Sequence, residues 1–180
     1  MHDTAKEYDT VIELCKDIFL KKMNDYGTAW RILRPTSITD QIYIKANRIR
    51  SIEEKGVTRV NEGVVPEFIG IINYAIMGII QLRLGPGNNT PDEVIRQMYA
   101  DCFREAKELM LAKNHDYDEA WRSMRISSYT DLILMKINRT KQIEDHQGHT
   151  LISEGIDANY FDMINYAVFG LIRLVVEKEA

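Results

Sequence analysis

The chain is short of cysteine. Cys15 and Cys102 are the only two in 180 residues, too few for a disulfide framework, and reduced thiols in a cytoplasmic protein are the expectation. It also lacks a basic excess. A formal net charge of −4 argues against general nucleic-acid binding, although a local basic pocket for a phosphorylated small molecule remains compatible with it. No phosphate-binding glycine loop of the strand–turn–helix kind is present, nor a nucleophile elbow, nor a cysteine cluster. Met1-His2-Asp3-Thr4 leads into charged residues without an apolar targeting core. The most hydrophobic stretch, Phe68 to Ile80, is too short to span a bilayer and contains Asn73, so no membrane role is expected. A chain of this length buries enough surface to fold without metal or disulfide.

What is present is a duplication. Lys22-Met-Asn-Asp25-Tyr26-Gly27-Thr-Ala29-Trp30-Arg31 returns as Lys113-Asn-His-Asp116-Tyr117-Asp118-Glu-Ala120-Trp121-Arg122, an offset of 91. The same offset pairs Asp40 with Asp131, Lys45 with Lys136, Asn47 with Asn138, Arg48 with Arg139 and Glu53 with Glu144. After one inserted residue, Glu62-Gly63 matches Glu154-Gly155, Asn73-Tyr74-Ala75 matches Asn165-Tyr166-Ala167, and Gly78 matches Gly170. The first copy covers residues 1–84 and the second 91–180, joined by a turn-rich linker over 85–90 that holds Gly85-Pro86-Gly87-Asn88-Asn89.

Each copy reads as three long helices around an irregular middle, an all-α class. The first helix spans roughly Ala5 to Met23 behind a Thr4-x-x-Glu7 capping box, and its repeat starts at Thr90-Pro91-Asp92-Glu93. Asp25-Tyr26-Gly27 breaks the first helix, and Asp118 takes the place of Gly27 in copy two. The second helix begins near Ser37-x-x-Asp40 and Ser128-x-x-Asp131, with Ile38, Ile42, Ile49 and Ile52 forming one apolar stripe. The third helix, Glu67 to Gln81 and Tyr160 to Val176, is apolar nearly all round and must be covered on every side. Packing the two third helices together at a pseudo-two-fold axis, with the other four outside, meets that need. Gly78 and Gly170 allow close approach there. The result is one fused helical bundle, and a homodimer built on it is compatible with this arrangement.

Charged and aromatic positions recur best between the copies. Lys45 and Arg48 fall on one side of the second helix at the border of the apolar stripe. There they either neutralise acids from neighbouring segments or present a phosphate site. Tyr26 is either a packing plug or a base-stacking loop residue, with Lys22 near phosphate. Asn73 and Asn165 lie in the most apolar helices, where a buried amide either crosslinks helices or reads a ligand. The candidate substrate contacts are therefore Lys22, Tyr26, Lys45, Arg48 and Asn73, with their repeats Lys113, Tyr117, Lys136, Arg139 and Asn165. Trp30 and Trp121 read as core anchors. The third helices are not chemically equivalent: Asp162 stands where copy one has Gly70, and Glu67 where copy two has Asn159. A carboxylate site can thus be complete in only one half. His146-x-x-His149, beside Glu144 and Asp145, has a metal-ligand spacing but no counterpart in copy one.

Lys-x-x-Asp-Tyr-Gly-x-Ala-Trp-Arg, followed by Ser-x-x-Asp-Gln-Ile-x-Ile-Lys-Ala-x-Arg-Ile and Ile-Ile-Asn-Tyr, resembles the bacterial and phage nucleotide modification associated domain family of helical proteins. The resemblance covers both copies. The same blocks are distantly similar to the all-α, MazG-like nucleoside triphosphate pyrophosphohydrolases, which hold magnesium through acidic side chains. That likeness implies a magnesium-dependent hydrolase of modified deoxynucleotides, with Asp25, Glu53, Glu144 and Asp162 as metal ligands. Those enzymes carry Glu-x-x-Glu on one helix and Glu-x-x-Asp on the next, a pattern from which this sequence departs, copy one lacking the strict spacing. Copy one offers Glu53, Glu54, Glu62 and Glu67, and copy two offers Glu144, Asp145, Glu154, Asp157 and Asp162. The contrasting reading is a non-catalytic helical scaffold or interaction module, in which the same charges are satisfied internally.

Overall fold

The computed structural model describes residues 1–56, 60–87, 89–151 and 154–179, the side chains of 60–62 excepted. Glu62 therefore lies outside the described side chains. Copy one holds α1 (Thr4–Tyr26), a 3-10 turn (Ala29–Ile32), α2 (Pro35–Lys55) and α3 (Val60–Leu84). Copy two repeats the order with α4 (Asp92–Tyr117), a 3-10 turn (Ala120–Ser123), α5 (Ile126–Asp145) and α6 (Ile156–Leu171). Copy two alone continues α6 through a π turn, Ile172–Val176. No strand occurs among the described residues.

The helix ends show where local chemistry rules and where it is overridden. Asp3, not Thr4, caps α1, its carboxylate accepting from the Lys6 N–H at 3.2 Å. The Thr4–Glu7 box is not formed, because Glu7 and the Thr4 hydroxyl both accept from Arg122 in the other copy. Gly27 ends α1 at φ 63°, so Asp25 and Tyr26 still belong to its last turn. Asp118 does the same for α4 in a true left-handed conformation, φ 51° and ψ 37°. The second helices start at Pro35 and Ile126, two residues before the expected serines, which leaves Ser37 and Ser128 inside the helices. Proline at the first turn costs no hydrogen bond and presets φ.

Tertiary order follows from burial. The helix α3 packs on α2 and α6, and α5 closes the ring by packing on both α6 and α2. The second helices thus join the central bundle, while α1 and α4 cross over α3 and α6. Each central helix receives its partner's aromatic ring at its own glycine. A Cβ on Gly78 would meet Tyr160 Cε2 at 2.8 Å, and one on Gly170 would meet Phe68 Cζ at 3.2 Å. Gly63–Leu84 is long and apolar enough, by length and composition, to cross a membrane, longer than the stretch expected from the sequence. Here 61% of its most apolar window is buried inside the bundle.

Polar pairs related by the pseudo-two-fold lock the copies. Tyr8 O–H donates to Asn165 Oδ1 at 2.6 Å, and Tyr99 O–H donates to Asn73 Oδ1 at 2.8 Å. The amide nitrogens donate to helix carbonyls, Asn73 to Cys15 (3.2 Å) and Asn165 to Ala106 (3.1 Å). Along the antiparallel seam of α2 and α5, Thr130 donates to Glu53 at 3.2 Å and Thr39 to Glu144 at 3.0 Å. Arg50–Asp131 (3.8 Å) and Lys141–Asp40 (3.3 Å) repeat the pattern at the same seam.

Candidate functional site

The candidate site forms in copy two, where α4, α5 and α6 meet. On α6, Asp162 is 8% exposed and carries two ammonium groups. Lys113 of α4 reaches one oxygen at 2.9 Å, and Lys136 of α5 reaches the other at 2.8 Å. Burial works against the Lys113 ammonium, but the hydrogen bond and charge of Asp162 outweigh it and hold its pKa above the ordinary lysine value. These three residues partition two adjoining spaces. One, of about 340 Å³, is lined by Met110, Tyr117, Trp121, Tyr166 and Phe169 together with Lys113 and Asp162. The other, of about 650 Å³, is lined by Lys136, Arg139, Gln142, His146, His149 and Glu154. Arg139 makes no ion pair among the described residues. The cleft therefore joins an aromatic wall to a cationic floor.

Local sequence explains each placement. Lys113 and Tyr117 are four residues apart and share one face of α4. Lys136 and Arg139 stand one turn apart at the edge of the α5 stripe, as the spacing predicts. Tyr117 is 71% exposed at the mouth. It is followed by Asp118 and Glu119, two consecutive non-glycine residues at positive φ, 51° and 56°. The Trp121 and Phe169 rings stack at 4.2 Å and 6°, and methionine (Met77) takes the Phe169 register in copy one.

The same register of copy one is built differently. Gly70 replaces Asp162, and the stem of Lys45 lies across it: a Cβ there would sit 2.5 Å from Lys45 Cδ. The carboxylate has moved one helical turn back to Glu67, which accepts Arg48 at 2.7 Å and lies 3.7 Å from Lys45. Lys45 also sits 5.7 Å from the Tyr74 ring centre. Lys22, Asp25 and Tyr26 are all exposed at the end of α1, and none of the described ion pairs involves Lys22 or Asp25. Copy one thus closes its second-helix cations on its own acid.

The residues named for ligand and metal separate accordingly. Asn73 and Asn165 spend both ends of their amides on protein groups, which makes them crosslinks rather than ligand readers, although Asn165 also borders the aromatic space. Glu53 and Glu144 lie at the α2–α5 seam, each held by a threonine, and burial pushes both pKa values up. Asp25, Glu53, Glu144 and Asp162 do not gather into a ligand cluster. Among the described residues the one acidic group with metal-like spacing is His2, Glu7 and Glu177. Arg122 already occupies it, 2.5 Å from Glu7 and 2.8 Å from Glu177.

Comparing the copies finds shared residues and so passes over what copy two alone has. Gln142, in the register of Ser51, and the Phe169 stack, in the register of Met77, complete the cleft without like residues in copy one. The absence of a copy-one match for His146-x-x-His149 was the usable signal, and it marks one wall of the larger space rather than a metal centre.

No curated protein and no solved structure matches the chain. One family does, twice: the family described as nucleotide modification associated domain 1 matches residues 22–82 and residues 113–174. The two matches cover the last turns of α1 and α4, both seam helices and both central helices, and so every residue of the cleft's cationic floor contributed by α5. On that double match, the chain belongs to the nucleotide modification associated domain 1 family.

Proposed function

We propose that copy two binds a nucleotide, its base in the aromatic space and its phosphates against Lys113, Lys136 and Arg139. One observation carries this reading. In a chain with a net charge of −4, Lys113, Lys136 and Arg139 outnumber the carboxylates Asp162 and Glu154 in a cleft that is aromatic on its other side. Such a local surplus attracts anions, and guanidinium and ammonium groups suit phosphate oxygens. Tyr117, exposed at the mouth, is placed to lie against a base.

A magnesium-dependent pyrophosphohydrolase acting on modified deoxynucleotides is the stronger form of this reading. The cleft's carboxylates are Asp162 and Glu154, and both Asp162 oxygens are already taken by ammonium groups. That donor set does not suit magnesium on its own, so the metal enters this proposal only as the counter-ion of the bound phosphates. Calorimetric titration with canonical and modified nucleotides, with and without magnesium, tests binding, and pyrophosphate release tests turnover. Lys136→Gln and Arg139→Gln are expected to weaken binding about tenfold each. No affinity for any nucleotide in the panel would sink the reading.

A scaffold role is favoured for copy one by a specific feature. Its Lys45 and Arg48 are closed on Glu67, the arrangement that internal satisfaction of charge requires. The equivalent substitution there, Lys45→Gln, is expected to leave nucleotide affinity unchanged.

A further inference from the structure

Trp121 holds a donor that no described residue uses. The residue is 6% exposed, yet its indole Nε1–H has no hydrogen-bond partner among the described residues. Indole N–H is a donor only, and an enclosed donor left unmet is destabilising. Native structures keep few such groups, and those they keep call for an explanation. Trp121 is also a wall of the aromatic space. Its two ring faces are taken: Phe169 stacks at 4.2 Å, and the Arg122 guanidinium lies 4.4 Å from the ring centre. Two groups that close cannot share one face, so the ring borders the space by its edge, of which the N–H is part. Trp30, at the same register in copy one, stays partly open and is not confined in this way.

We infer that Trp121 is the specificity-determining donor of this cleft, giving its N–H to the ring carbonyl oxygen that stands where an amino base carries its NH2, on C4 of a pyrimidine or C6 of a purine. The inference rests on the nucleotide reading above and names the ligand class within it. An N–H group donates to a keto oxygen and is mismatched with an amino group at the same place. Asn114 lines the same space with its amide nitrogen on the Met110 sulfur at 3.0 Å. That leaves its amide oxygen as an acceptor for the imide N–H that flanks a ring carbonyl. The cleft therefore suits keto bases such as uracil or hypoxanthine over their amino counterparts, cytosine and adenine. A site built to bond one group discriminates strongly against an analogue lacking it, because its own buried group is then left unpaired.

Matched-pair calorimetry tests this on the whole chain, with uridine against cytidine 5′-triphosphate and inosine against adenosine 5′-triphosphate. The keto member is expected to bind about tenfold tighter or more, and Trp121→Phe to shrink that ratio to about twofold while phosphate-driven binding persists. Equal affinities in the native chain, or a ratio unchanged in the variant, would overturn the inference while leaving nucleotide binding itself intact. If Lys136→Gln and Arg139→Gln leave uridine triphosphate affinity unchanged, the site reading fails instead, whatever the ratio. A second readout needs no change at Trp121. The chain has two indole N–H resonances, and Trp30→Phe assigns them. The Trp121 signal is expected to move downfield with the keto nucleotide and not with the amino one. An unmoved signal in the keto complex refutes the proposal.

Discussion

The two copies share a register but not a charge plan. Arg31 and Arg122 stand at the same place, at the 3-10 turn after the first helix of each copy. Arg31 is 2% exposed and donates to the Gln81 side chain, to the Gly85 carbonyl at 2.9 Å and to Thr90, with burial lowering its pKa. Arg122 instead pairs with Glu7, Glu119 and Glu177. Glu177 occupies the register of Gly85, so a carboxylate in one copy does what a backbone carbonyl does in the other. The Glu67–Asp162 exchange, one turn apart on the central helices, is a second case. Duplication kept the positions that hold helices together and released the charges around them. Copy two, with its acid moved onto two lysines, carries an open cleft, whereas copy one closes Lys45 and Arg48 on Glu67.

The equivalence is most demanding at the buried amides. Asn73→Ala removes the acceptor of Tyr99 and a bond to the Cys15 carbonyl, and Asn165→Ala does the same to Tyr8 and Ala106. Each is expected to cost about 3 kcal/mol, read as a lower denaturant midpoint with unchanged slope. Costs differing by more than about 1 kcal/mol would break the symmetry of the lock. The glycines should break it visibly. Tyr160 cannot retreat from Gly78, because its hydroxyl is held by Thr39 at 2.7 Å and by the Pro35 carbonyl at 3.1 Å. Phe68 has no such tether. Gly78→Ala is expected to cost about 2 kcal/mol through overpacking, whereas Gly170→Ala should come out near neutral once helix propensity offsets a milder contact.

Those two pairs also show what the sequence made legible. The glycines and the all-apolar third helices already implied a close central crossing, and the recurring asparagines implied buried amides with partners. The partners themselves were not readable, since Tyr8 and Tyr99 reach across to the opposite copy and periodicity carries no such address. The seam of α2 and α5 was hidden for the same reason: Glu53 and Glu144 recur like functional residues, yet they recur because each meets a threonine of the other copy. Lys136 and Asp162 were legible as candidates but not as a pair, because only three-dimensional packing shows that the mismatch at Gly70 turns one lysine stem inward and leaves the other facing an acid.

A middle-sized effect is expected where the charge plans differ. Asp162→Asn leaves Lys136, only 13% exposed, beside a neutral amide. It should lower the melting temperature by about 3–6 °C, while raising affinity for inorganic phosphate and steepening its salt dependence, since the cleft loses the carboxylate that pairs its two lysines. Glu67→Gln in copy one releases the more exposed Arg48 to water and should cost less than about 1 kcal/mol, with no change in phosphate affinity. Equal phosphate responses in the two variants would mean that the cleft is not confined to copy two.

The smallest effect is the one most tightly bound to symmetry. Burial raises the pKa of Glu53 and of Glu144 despite the threonine hydrogen bonds that pull the other way. Between the ordinary glutamate value, about 4.3, and the raised native one, the folded chain holds more protons than the unfolded chain. Stability therefore falls as pH rises through that window and stays reduced at neutral pH. Glutamine removes the buried charge and still accepts from Thr130 or Thr39. Glu53→Gln and Glu144→Gln are each expected to raise the melting temperature at pH 7 by less than about 2 °C, both groups being half exposed to solvent screening. At pH 3.5 neither should give a gain, because the carboxyls are then largely protonated in both states. A gain of equal size at both pH values would show that shape rather than charge is at issue. A gain for Glu53→Gln alone would point to Tyr160, whose hydroxyl shares Thr39 with Glu144 and has no equivalent beside Glu53, where copy one carries Phe68.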